Sequence, residues 1–199
     1  MASFLERCSR IDALKNEITP VQLSLFNLHV PYVNEAVECF HKELPISCVM
    51  VSSALIEICL CWEHWRRKPE EERKTIPENE FRKVSLEKLF HEFSNFDIPI
   101  DKLLDFDERE QLKAGKLDTK SIRFIKTRNK FAHGDLVHHL SPATLLSGYE
   151  EDWLDYGIVN DEEWENASLE TVAFVQLLKT LRFMKALTDF LIEKEKIGK

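Results

Sequence analysis

Arg128, Asn129 and His133 lie within the short string "RNKFAHGD" and are the residues here best suited to do chemistry. Arginine presents planar, permanently charged donors that match a phosphate, and histidine is the side chain whose proton moves near neutral pH. Together these types suit cleavage of an RNA phosphodiester. A base removes the 2′-hydroxyl proton, an acid protonates the leaving oxygen, and a guanidinium stabilises charge on the phosphorane, with no metal or cofactor called for. In that chemistry His133 is the acid/base, Arg128 the phosphate clamp and Asn129 a hydrogen-bonding positioner. The same residues have a plainer reading, with His133 offsetting the dipole at a helix C-terminus and Arg128 joining a surface ion pair.

Some element must position them. Asp118 is placed to cap a helix over Thr119–His133, and Gly134 to end it in a left-handed conformation. On that helix Asn129 and His133 share a face, while Arg128 stands about 140° round from His133, a gap that a long arginine stem spans near a helix end. One helix makes a sparse site. A second copy of the chain facing it would put two arginines and two histidines around one cleft, so a homodimer is expected. Lys120, Arg123, Lys126 and Lys130 follow in steps of three, three and four along the same segment. That stripe could track an RNA backbone or form a solvated basic face. Phe131 and Ala132 are candidates for packing beneath it.

The rest of the chain reads as helices. Its 199 residues include only five glycines and seven prolines, and apolar residues recur every three or four positions. The fold class expected is all-α: a helical bundle with a long acidic insertion before the C-terminal helix. The segments are about Ser3–Glu17, Pro31–Lys42, Pro45–Arg67, Leu86–Phe96, "DFDEREQLKAG" ending on Gly115, the helix of the string above, and about 27 residues capped by Ser168. The last carries an apolar stripe at Val172, Val175, Leu178, Phe183, Leu187 and Leu191. "KPEEERKTIPENE" is a charged connection that no helix crosses intact, because its prolines break helices. Residues 134–167 are too long for a bare loop, and a short helix is expected after Ser141 and Pro142.

Charge and cysteine usage narrow the setting. The net charge is −8, yet "EEDWLDYGIVNDEEWE", Glu150 to Glu165, holds eight acids and no Lys or Arg. Without it, 27 acids balance 27 basic residues, so a locally basic site remains open. Cys8, Cys39, Cys48, Cys59 and Cys61 are odd in number and show no disulfide framework, which implies reduced thiols in a cytoplasmic protein. The N-terminus interleaves charge with apolar residues, unlike a signal peptide. Leu44 to Trp62 has the length to span a bilayer and a single charge, Glu57. An ionised glutamate is costly there, so the centre of a bundle is preferred and no membrane partner is expected.

The string "IRFIKTRNKFAHGD" resembles the signature of HEPN domains (higher eukaryotes and prokaryotes nucleotide-binding), an arginine, a polar residue that is often asparagine, and a histidine a few positions on. Arg128, Asn129 and His133 match those places. The resemblance implies a single helical-bundle domain over 1–199, with its core about 31–133 and 168–195 and an insertion about 134–167. It also implies a homodimer that pairs two such strings, and RNA or a nucleotide as ligand. Its further implication is a metal-independent endoribonuclease of a toxin–antitoxin or antiviral defence system, with an antitoxin or regulatory partner. "SCVMVSSALIEICLCW" looks like the apolar helix that HEPN domains pack against the motif helix, which makes Glu57 the supporting acid that orients Arg128. The string is also similar to that of HEPN-like proteins related to the mannitol operon repressor. That likeness implies instead a non-catalytic regulator or a dimerisation and nucleotide-binding module.

Other candidates carry less. Cys59, Cys61 and His64 have a ligand-like spacing, but the two cysteines point to opposed sides of a helix, and no metal is expected. His138 and His139 form a bare pair. Trp153, Tyr156 and Trp164 would pin the acidic stretch to the bundle, the sharper alternative being an acidic lid that restrains RNA access. A helical accessory subunit of a larger complex is a third reading of the whole.

Overall fold

The computed structural model describes residues 3–18, 29–75, 84–93, 98–134 and 168–197, and all regular structure among them is helical. The elements are α1 (Phe4–Glu17), α2 (His29–His41), α3 (Pro45–Arg66), α4 (Glu70–Thr75), α5 (Leu86–Phe93), a 3-10 turn (Ile100–Leu103), α6 (Phe106–Lys113), α7 (Arg123–His133) and α8 (Leu169–Ile197). The acidic stretch 150–165, the short helix expected after Ser141 and Pro142, and the His138–His139 pair lie outside the described residues.

Local chemistry sets many of the boundaries. The Ser3 hydroxyl accepts the Glu6 N–H at 3.3 Å, and the Glu6 carboxylate accepts the Ser3 N–H, a reciprocal cap that starts α1. Pro31 sits in the first turn of α2, and Pro45 opens α3, where a missing N–H costs no hydrogen bond. Asp105 and Glu108 form the same kind of box at the start of α6, which is followed by Gly115 at φ 66°. Ser168 accepts the Thr171 N–H at 3.2 Å ahead of α8. The charged connection holds a short helix, α4, which fits between Pro69 and Pro77 and crosses neither.

The long helices α3 and α8 form the centre of the bundle. They pack on each other; α2 and α7 flank α3, and α1 packs on α2 and α8. Ten residues of α3 are buried, among them Val49, Leu55, Ile56, Cys59 and Leu60. The six stripe residues of α8 from Val172 to Leu191 are all buried, as periodicity requires. Each such aliphatic or aromatic side chain contributes about 1.5–3 kcal/mol when withdrawn from water. By length and composition α3 is also the one helix among the described residues apolar enough to cross a membrane, and half of its most apolar window is buried inside the chain. Glu63, on the same helix, is fully buried and chelated by Arg66, with Nε at 2.9 Å and Nη2 at 2.8 Å.

Candidate functional site

The string of interest folds as the C-terminal part of α7, and its apolar residues hold it down. Phe124, Ile125 and Phe131 are buried, and the Phe124 ring stacks on Phe90 of α5 with centroids 6.4 Å apart. Ala132, expected to pack, is exposed instead. Gly134 ends the helix at φ 72°, and its N–H is donated back to the Phe131 carbonyl at 3.3 Å. Gly134 is needed there, since other residues adopt that conformation only with strain.

Arg128 is held on both sides. Its Nη2 donates to Glu57 Oε2 on α3 at 3.2 Å, and its Nη1 donates to Asn129 Oδ1 at 3.0 Å. The pair is half-buried, with the Arg128 side chain 33 % and that of Glu57 27 % exposed. Glu57 is therefore an ion-pair partner of Arg128 across α3 and α7. His133 lies about one and a half turns further on, exposed in the last turn. The structure thus brings Glu57, Arg128 and Asn129 into contact and sets His133 at the open end of the same helix.

The basic stripe is not as expected. Asp118 does not cap the helix. Its carboxylate accepts the Lys120 N–H at 3.0 Å and its carbonyl accepts the Ser121 hydroxyl at 2.7 Å, so it closes a turn and α7 begins four residues later than anticipated. Lys120 is therefore exposed on that turn and not on the helix. Arg123 is buried, its guanidinium bonded to the Asp105 carboxylate, and it does not stand on the surface with Lys126. A backbone-tracking role for Arg123 is thereby removed. Lys126 is exposed and Lys130 half-buried, and the four-residue step between them leaves a shorter basic edge, on the opposite side of α7 from Arg128.

Beneath that edge is an arrangement that sequence reading missed. Asp105 is 1 % exposed and accepts both Arg123 Nη1 and Nζ of Lys179 on α8. Glu108, also buried, uses Oε2 for the Asp105 N–H at 2.8 Å and Oε1 for the Arg123 N–H at 2.6 Å. Burial pushes the Glu108 carboxyl above its ordinary value; Lys179 opposes the rise and Asp105 adds to it. Two signals were visible in the sequence: the D-x-x-E spacing of Asp105 and Glu108, and Lys179 falling on the stripe that runs Val172, Gln176, Lys179, Phe183.

The Cys59, Cys61 and His64 spacing does not become a site. Both cysteines are buried, and His64 Nδ1 instead meets Glu92 Oε2 of α5 at 2.6 Å. Comparison with protein families, curated proteins and solved structures finds no match to this chain.

Proposed function

We propose that the chain is a HEPN-type RNA-cleaving protein whose half-site is Arg128, Asn129 and His133, completed by a second copy. The observation that carries the reading is the setting of Arg128. A guanidinium midway along α7 is oriented by Glu57 and Asn129, one third open to solvent, on the helix whose exposed last turn carries His133. That is an arrangement a phosphate can approach, with a proton-transfer group nearby.

The pairing of two copies has its own support on α3. Ile46, Met50, Ala54 and Glu57 follow steps of four, four and three, and so share the face that carries the Arg128 contact. Leu44 is 47 % and Ile46 43 % exposed, and Met50, Val51, Ala54 and Ile58 are only half-buried. An apolar helix face with a polar pair in it is what a core-and-rim interface needs. The bundle-centre role of α3 also favours an aqueous, cytoplasmic setting over a membrane span.

One observation favours a non-catalytic reading, in which the same residues serve a regulator or a nucleotide-binding module. Glu57 already neutralises Arg128, as a purely structural pair would. RNA cleavage in EDTA by the wild type, His133→Ala and Arg128→Ala separates the two. Loss of cleavage in both variants supports the nuclease; equal activity in all three, or none in any, overturns it. Sizing at micromolar concentration tests the composite site, which a monomer would sink.

A further inference from the structure

The buried charges under α7 tie three helices at one point. α7 has no capping side chain of its own, because its N-cap residue is Ile122. The cap comes from α6: Glu108 Oε1 accepts the N–H of Arg123, the first residue of α7, while its Oε2 closes the box on Asp105. The side chain of Arg123 reaches Asp105, and Asp105 also receives Lys179 from α8. Backbone and side chain of one residue are thus gripped by two adjacent carboxyls.

Such a cluster is a poor way to gain stability, since apolar residues of similar volume often serve as well or better once desolvation is counted. Its distinctive effect is geometric. Gripping both the N–H and the guanidinium of Arg123 fixes where α7 begins along its axis and how it is rotated. Arg128 is five residues further, about 7.5 Å along the axis. A slip of one residue would turn it by about 100° and carry it away from Glu57.

We infer that Asp105 and Glu108 are positioning residues for the Arg128–Asn129–His133 half-site: by holding Arg123 they set the rotation and axial placement of α7 against α3. They bond neither Arg128 nor Glu57, and act only through the helix. The inference rests on the half-site reading proposed above, but two of its three readouts do not need cleavage.

The test compares wild type with Glu108→Gln, which keeps one acceptor and turns the other oxygen into a donor facing an N–H. Glu108→Asp, which keeps the charge but shortens the reach, serves as a second variant should the first fail to fold. Amide exchange at residues 123–127 is expected to accelerate at least tenfold while α1 and α2 keep their protection. The change in unfolding constant caused by Glu57→Gln should shrink at least threefold in the Glu108 variant, because Arg128 no longer sits opposite. On RNA, kcat should fall at least tenfold with KM changed less than twofold. Accelerated exchange spread evenly over all helices, with Glu57 and Glu108 effects that simply combine, would overturn positioning and leave a structural cluster. Absence of cleavage by the wild type would sink the nuclease reading, while exchange and the double-mutant cycle would still decide this one.

Discussion

Glu57 on α3 and Arg128 on α7 are 71 positions apart in sequence and meet at 3.2 Å, with Asn129 taking the other end of the same guanidinium. A pair this open to solvent contributes about 0–1 kcal/mol, so holding the fold together is not its main effect. Its effect is to fix where the guanidinium points and to compete with any anion that approaches. Glu57→Gln is therefore expected to change the unfolding free energy by less than about 1 kcal/mol. It should also tighten binding of a short single-stranded RNA, measured by fluorescence anisotropy. Unchanged affinity would show that Glu57 does not compete for Arg128.

The buried cluster behaves oppositely. Asp105 is the carboxylate that both Arg123 and Lys179 reach, and Asp105→Ala removes it while both cations stay in the interior. Breaking a buried pair in this way costs about 3–5 kcal/mol. For a chain of this size that corresponds to a fall in Tm of roughly 6–20 °C. Thermal unfolding followed by circular dichroism reads it, with Arg128→Ala as the contrasting variant that shifts Tm by no more than a few degrees.

Glu108 gives a pH dependence of definite sign. Burial raises its carboxyl above the ordinary 4.5, so the folded chain holds that proton more tightly than the unfolded chain does. Its contribution is fully present below the unfolded value and is lost as pH rises through the folded one. Glu108→Gln cannot titrate. The stability difference, variant minus wild type, should therefore move in the variant's favour as pH rises from about 4.5 through the folded pKa of Glu108. Urea titrations across that range measure it, and a difference that stays constant would mean that Glu108 titrates as an ordinary carboxyl.

Two thiols of α3, Cys48 and Cys59, should be inert. Burial pushes Cys48 up to about 12, and burial also pushes Cys59 up, where its Sγ lies 3.6 Å from Met184 Sδ. The thiolate is the reactive form, so neither residue should take iodoacetamide at pH 8 in the native protein. Peptide mass spectrometry is expected to find them labelled only after unfolding. Labelling of Cys48 under native conditions would mean that α3 is less enclosed than its packing on α2 and α8 indicates.

The helices and their ends were legible because their signals are local. Ser3, Pro45, Gly115, Gly134 and Ser168 each act within a turn of themselves, and each does what its type predicts. The start of α7 was not legible for the complementary reason. Asp118 is a good capping residue, and nothing nearby says that the actual cap is Glu108, fifteen positions earlier and on another helix. The same gap misplaced Arg123. Its spacing from Lys120 and Lys126 suggests a surface stripe, but its partner Asp105 lies eighteen positions away and Lys179 further still. Within the candidate site, Glu57 was singled out by the family resemblance, as the acid in the mostly apolar stretch Leu44–Trp62, and it meets Arg128.

Gly134 permits a clean test of how the end of α7 is held. It sits at φ 72°, and a Cβ added there would meet nothing within 4 Å. Space is therefore not the constraint; the backbone conformation is. An L-residue other than asparagine or aspartate takes that conformation at a cost of about 1–2 kcal/mol. Gly134→Ala is expected to lose about that amount in urea unfolding, and Gly134→Asn distinctly less, because asparagine tolerates the left-handed region. The strain falls on the last turn, so if His133 works from that turn, RNA cleavage should drop more in the alanine variant than in the asparagine one. Alanine and asparagine variants both as stable as wild type would show that α7 does not depend on a left-handed residue to end where His133 stands.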